Sequence, residues 1–156
     1  GEEYYTLEDR LSDDIDGTLF ETYQETPGLL SKEKIDGDLF VGKYHSALLK
    51  SNCRVTSQPD WGDIYIYMST AVYKPVDLSL LKYIVSFRDE CHFHEEICET
   101  VYTRLANYFE PVELCVTCLY ARRGGIDINP TRSSHDYLLP AALADVTVVH
   151  KKTGKQ

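Results

Sequence analysis

The sequence holds one methionine, Met68, one tryptophan, Trp61, and 16 Lys and Arg against 25 Asp and Glu in 156 residues. The formal net charge of −9 leaves no basic stripe for duplex DNA or an anionic membrane, so direct contact with either is not expected. No apolar run nears the ~18 residues a membrane span needs, and no charged-then-apolar leader opens the chain. A soluble, cytoplasmic protein is expected. No GxGxxG or GxxxxGK(S/T) segment occurs, which excludes a Rossmann or P-loop nucleotide site at the level of motifs. With no methionine before Met68, a chain opening on Gly1 reads as a processed, tagged or excised piece.

A disulfide framework is also missing. The five cysteines (Cys53, Cys91, Cys98, Cys115, Cys118) are odd in number and irregularly spaced, as expected of reduced thiols. Cys115-x-x-Cys118 lies in an apolar run, and in a strand residues i and i+3 point to opposite faces. No second CxxC or HxxxH completes a zinc set, so no metal is expected.

What is present reads as one α+β module with tails. Residues 1–37 open with Glu2, Glu3, Glu8, Asp9, Asp13, Asp14 and Asp16 against a single Arg10 and read as an acidic linker, with a short strand around Leu19 to Tyr23. Residues 38–135 form the module and 136–156 a tail. Leu39 to Leu49 predicts a first strand running toward Cys53. Ile64, Ile66 and Met68 alternate with Tyr65, Tyr67 and Ser69, the period-2 pattern of a half-buried strand. Asp77 reads as an N-cap, followed by Leu78, Leu81, Ile84 and Val85 at helical spacing. Phe93, Ile97, Val101, Leu105, Tyr108 and Phe109 then mark one face of a second helix, which Pro111 stops. Val112 to Tyr120 predicts a third strand, and Gly124 to Pro130 a fourth after a tight hairpin turn. The order ββααββ implies an antiparallel sheet with both helices on one face. Its open edges favour edge-to-edge oligomerisation.

Within this frame one loop stands out, Ser51-Asn52-Cys53-Arg54-Val55-Thr56-Ser57-Gln58-Pro59-Asp60-Trp61-Gly62. A thiol and a carboxyl flank a polar loop between two strands, where they can meet at one substrate atom. Cys53 is a candidate nucleophile and Asp60 a candidate proton donor, although an isolated cysteine often serves as a small buried hydrophobe and Pro-Asp is common turn chemistry. At the start of the second helix, His94 and Glu95 form a second candidate pair. A helix N-terminus favours an ionised carboxylate, which can accept two parallel N–H bonds from a guanine-like edge. Equally, Glu95 can merely tune the helix and His94 pack. Arg123-Gly124 offers either a solvated hairpin end or a guanidinium beside bare backbone that a phosphate can approach.

Taken in order, several segments resemble a known family. These are Ser46-Ala47-Leu48-Leu49-Lys50-Ser51-Asn52-Cys53, Thr56-x-Gln58-Pro59-Asp60-Trp61-Gly62, Ser86-Phe87-Arg88, Phe93-His94-Glu95 and Arg123-Gly124-Gly125-Ile126-Asp127-Ile128-Asn129-Pro130. They resemble the NADPH-dependent 7-cyano-7-deazaguanine reductases, nitrile reductases of queuosine biosynthesis and hence of tRNA modification, most closely the C-terminal half of their two-module form. The resemblance covers residues 43–133. It implies the tunnelling fold (T-fold) shared with GTP cyclohydrolase I, whose ββααββ units join into barrels, with a second copy or an N-terminal T-fold half as partner. It also implies that Cys53 adds to the nitrile carbon to give a thioimide, that Asp60 supplies the proton, that His94 and Glu95 bind substrate, and that Arg123 and Gly124 contact NADPH. Two hydride transfers would then yield the primary amine. The family's Glu-Ser-Lys signature has no counterpart here, since the first helix begins Asp77-Leu78-Ser79-Leu80-Leu81-Lys82, and Glu90 and Ala121 stand where the family commonly has His and Thr. These departures keep two alternatives in view: a relative that forms the thioimide without reducing it, as an amidine-forming enzyme does, and a non-catalytic purine-binding or structural subunit.

Overall fold

Alternating and stripe-forming residues account for most of the architecture seen in a computed structural model of the chain, which describes residues 3–11, 20, 23–120 and 129–139. In chain order the elements are β1 (Tyr5–Thr6), α1 (Leu7–Arg10), β2 (Lys32–Lys34), β3 (Phe40–Cys53), β4 (Pro59–Thr70), β5 (Tyr73–Pro75), α2 (Asp77–Val85), β6 (Cys91–His92), α3 (His94–Phe109), β7 (Glu113–Tyr120) and β8 (Thr131–Ser133). The main sheet runs β1-β3-β4-β7-β8, with β6 beside β3, and β2 and β5 form a separate ribbon. The β3-β4-β7-β8 pairings are antiparallel, as the sequence predicts, whereas β1 and β6 add to β3 in parallel. Two-residue strands are too short to show a period, so neither addition is readable from the sequence. The predicted fourth strand, Gly124 to Pro130, falls mostly on residues outside the described ones; β8 follows it at Thr131–Ser133. Leu19 also lies outside the described residues.

The sheet's packed face carries Leu49, Ile64, Ile66, Met68, Leu114, Val116 and Cys118, and α2 and α3 close over it with Leu80, Leu81, Ile84, Ile97, Val101 and Leu105. On the opposite face Lys43, His45, Asp63, Tyr65 and Tyr67 are only half-buried. Cys118 pairs with buried Ile64 and Cys115 with half-buried Tyr67, so the CxxC cysteines do point to opposite faces. Two details of the helices depart from expectation. Val76, not Asp77, is the N-cap of α2, and Asp77 is its first helical residue. Phe93 caps α3 with extended backbone angles and turns out to solvent, 44% exposed, so the core stripe of α3 starts at Ile97. At its other end Glu110 takes a left-handed conformation (φ 48°) just before Pro111, which cannot continue a helix.

One irregularity decides where the site forms. In the β3–β4 ladder Ser46 pairs with Ile64, yet Leu49 pairs with Gly62. Strand β3 thus spends three residues where β4 spends two, a β-bulge. Before it, Gly42, Tyr44 and Ser46 face the core; after it, Leu49 and Ser51 do. The bulge therefore shifts the inward set from even to odd positions and carries Cys53 onto the packed side. Its freed amides find partners: Leu48 N–H donates to Ser46 Oγ at 3.0 Å and Ala47 N–H to Glu8 Oε2 at 2.7 Å.

The described part of the acidic N-terminal segment lies against the module. Leu7 is fully buried, Leu11 and Leu30 nearly so, and Glu25 ties three elements together. It accepts from Arg104 Nε at 2.8 Å and from Tyr83 OH at 2.8 Å, and its own amide donates to Glu90 Oε2 at 2.9 Å. Burial raises the Glu25 carboxyl, but the hydrogen bonds from Arg104 and Tyr83 outweigh it and leave it below the ordinary value. A depressed carboxyl stabilises the fold above the unfolded-chain pKa and loses that contribution as pH falls through the folded one. Glu25→Gln is expected to lower stability by about 1 kcal/mol at pH 7. The gap should narrow as pH falls below the unfolded value of about 4.3 and close once pH is below the depressed folded one, where the parent carboxyl is also neutral. Urea denaturation at both pH values measures it.

Candidate active site

Cys53 ends β3 and Asp60 is the second residue of β4, so the loop between them is a hairpin end. Cys53 N–H donates to Gln58 O, and Ser57 N–H to Cys53 O, both at 2.8 Å. Ser57 closes the turn with φ 62°, a left-handed conformation that a non-glycine residue holds at some cost. Ser51 stands directly across from Asp60, and Cys53, two residues further along the same pleat, lies diagonal to it. Both candidate groups are half-buried.

The tight turn also activates the thiol. The Thr56 backbone N–H, the Thr56 hydroxyl and the Val55 backbone N–H bond to Sγ and hold the Cys53 thiol below its ordinary value, against burial and the nearby Asp60 charge, which push it up. Hydrogen bonds to the charged form favour it, and the thiolate is the nucleophile. Thr56→Ala removes one such bond. Its expected effect is an upward move in the pH midpoint of Cys53 alkylation, with a roughly threefold slower rate at pH 7. Iodoacetamide labelling with peptide mapping reads it, since exposed Cys91 reacts separately.

The first turn of α3 brings the second pair. His94 Nε2 lies 3.2 Å from Asp60 Oδ2, and its ring stacks on Tyr120 with centroids 3.7 Å apart and planes 5° from parallel. The carboxyl, the imidazole and the thiol side of the hairpin thus meet at one end of the apolar layer between helix and sheet. Glu95, the next residue, is half-buried and makes no hydrogen bond to the other three among the described residues. Arg123 and Gly124 lie outside the described residues.

A clasp missed by sequence reasoning locks α3 to the hairpin. His92 pairs with Cys53 in the parallel β3–β6 register. Its ring bridges Glu90 Oε1 at 2.6 Å and Glu96 Oε1 at 3.3 Å, and Glu96 also accepts from Phe93 N–H at 2.9 Å and from Arg54 at 3.2 Å. Phe93 N–H to Glu96, three residues on, is one half of a capping box, a spacing visible in the sequence. Tyr120 was missed as well, because an aromatic at a strand end carries no signal of its own.

A mostly antiparallel sheet covered by helices defines an α+β protein, and the hairpin end of its sheet sets a thiol of lowered pKa near a carboxyl and that carboxyl's imidazole partner. The model of the QueF-like protein family matches residues 59–137. The NADPH-dependent 7-cyano-7-deazaguanine reductase of Psychrobacter cryohalolentis is 41% identical over 138 residues, 86% of this chain and 47% of that protein. The reductase of Verminephrobacter eiseniae is 45% identical over 121 residues, 76% of this chain and 41% of that protein. In fold, the chain is similar to the archaeosine synthase QueF-Like in the apo form, with a TM-score of 0.55 and 16% identity over 64% of this chain and 96% of that one. The chain belongs to the QueF-like family. It spans about half the length of the curated relatives it matches.

Proposed function

We propose that this chain is a T-fold nitrile reductase module that captures the nitrile of 7-cyano-7-deazaguanine on Cys53 and, with NADPH, carries it to the primary amine of 7-aminomethyl-7-deazaguanine. Sγ bonds to the nitrile carbon, one π pair moves to nitrogen, and Asp60 delivers the proton that completes a neutral thioimide. His94, bonded to Asp60, orients the carboxyl and with Glu95 binds the deazaguanine ring, the carboxylate accepting from its N–H edge. NADPH would supply hydride equivalents; its expected contacts, Arg123 and Gly124, lie outside the described residues. The observation that carries this reading is the meeting of an activated Cys53 with the Asp60–His94 pair, in a chain whose relatives are named as such reductases.

A second reading, capture without reduction, draws on two facts. The chain spans about half of those reductases, and the Glu-Ser-Lys signature has no counterpart in it. One assay separates the readings: incubate the chain with 7-cyano-7-deazaguanine, follow adduct by intact mass, then add NADPH and follow its absorbance. Adduct followed by oxidation supports reduction. Adduct alone supports the second reading, and no adduct supports a purine-binding or structural subunit. Among the described residues the short strands β1 and β6 leave lengths of β3 open, and a second copy or an N-terminal T-fold half would pair there to close a barrel in the cytoplasm. Among the described residues no helix is long and apolar enough to cross a membrane.

A further inference from the structure

Beneath the Cys53, Asp60 and His94 group lie two hydroxyls with no assigned work. Ser51 is fully buried and Tyr120 is 2% exposed, and neither Ser51 Oγ nor Tyr120 OH has a hydrogen-bond partner in the described structure apart from a contact with each other. Buried hydroxyls are nearly always paired, and an unpaired one costs free energy. Their placement explains the cost. Ser51 shares the inward pleat of β3 with Cys53 and stands across from Asp60. Tyr120 stands across from Gly62, two residues along β4 from Asp60, under the ring of His94. Gly62 makes room for it, since a Cβ there would lie 2.9 Å from the Tyr120 ring. Burial keeps the phenol protonated, the neighbouring Cys118, Cys98 and Asp60 add to this, and a hydrogen bond with the Ser51 hydroxyl acts in the opposite direction. The two hydroxyls therefore stand side by side beneath the site, and their mutual contact uses only one of their two protons.

We propose that the Ser51 and Tyr120 hydroxyls form a polar subsite that donates hydrogen bonds to the nitrogen of a bound nitrile while Cys53 adds to its carbon. The proposal rests on Cys53 as the capturing nucleophile. A nitrile nitrogen is a weak acceptor. As the Sγ–C bond forms, an electron pair collects on that nitrogen, which becomes a strong acceptor until Asp60 protonates it. Donors fixed at that point favour the transition state over the free nitrile. The same pair discriminates by chemistry, because an electrophile that puts no charge on a nitrogen gains nothing from it.

The test uses the full chain with Ser51→Ala, Tyr120→Phe and both together; phenylalanine keeps the ring under His94, and each change removes only a hydroxyl. Two rates are measured for each protein: capture of 7-cyano-7-deazaguanine by intact mass, and alkylation of Cys53 by iodoacetamide, which expels iodide and needs no charge on nitrogen. The expected result is capture slower by about tenfold per hydroxyl removed, with alkylation unchanged. Capture by the double variant within about twofold of the parent overturns the subsite, as does equal slowing of both reactions. Absence of adduct in the parent chain overturns Cys53 as nucleophile and the subsite with it.

Discussion

Cys53→Ala is expected to form no covalent species with 7-cyano-7-deazaguanine, while the chain folds with a stability within about 1 kcal/mol of the parent. The thiol is half-buried at a hairpin end and contributes little apolar area, so its loss leaves the core intact. What disappears is the one thiol at the hairpin: Thr56 and Val55 then direct their donors at a methyl group. The other four cysteines offer no substitute. Cys98, Cys115 and Cys118 are buried, and burial raises the thiols of Cys98 and Cys115. Cys91 is exposed but pairs with Asn52 on the neighbouring pleat position, away from Asp60. Intact mass after incubation checks the prediction, and an increment surviving in the variant would remove Cys53 from the mechanism. Asp60→Asn is the informative companion, since it keeps the thiolate and deletes the proton.

Most of the scaffold behind this site was legible in the sequence, and the reasons differ by element. The β4 alternation and the α3 stripe were readable because each buries one face over many residues, which imposes a period. The loop joining Cys53 to Asp60 was readable because Thr56, Ser57, Gln58 and Pro59 interrupt the apolar patterning between β3 and β4. The bulge at residues 46–49 was not. Strict alternation along β3 from Tyr44 would place Asn52 on the packed side and turn Cys53 away, and only the extra residue, whose amides are taken up by Ser46 and Glu8, reverses this. Phe93 was misread for a related reason: an apolar residue at helical spacing reads as core, whereas a residue at the N-cap has left the helix and no longer shares its face. The docking of Leu7, Leu11 and Glu25 was hidden by the acids around them, because net charge dominates a window in which a few apolar side chains do the packing. Arg123 and Gly124 remain expectations of the resemblance alone.

Ile66→Ala is expected to produce the opposite profile, unfolding the chain more easily while leaving the chemistry of the folded fraction unchanged. Ile66 is fully buried in the middle of the sheet, paired with Tyr44 on one side and Val116 on the other. Truncation there removes methyl and methylene groups that α2 and α3 pack against, and the central strand of an antiparallel ladder cannot move inward to refill the space. The cost is the lost transfer energy plus the cavity, about 2–5 kcal/mol, a large fraction of the 5–15 kcal/mol that holds a domain of this size together. Urea denaturation should show a lower midpoint with an unchanged slope, because the area exposed on unfolding is nearly the same. Ile66 faces the core three inward-facing positions along β4 from Asp60 and contributes nothing to the hairpin, to His94 or to Tyr120. The rate of adduct formation per folded molecule should therefore match the parent. If that rate instead fell in step with the midpoint, the hairpin geometry would depend on the packing of the whole layer, and the separation between the sheet that carries the site and the loop that performs the chemistry would fail.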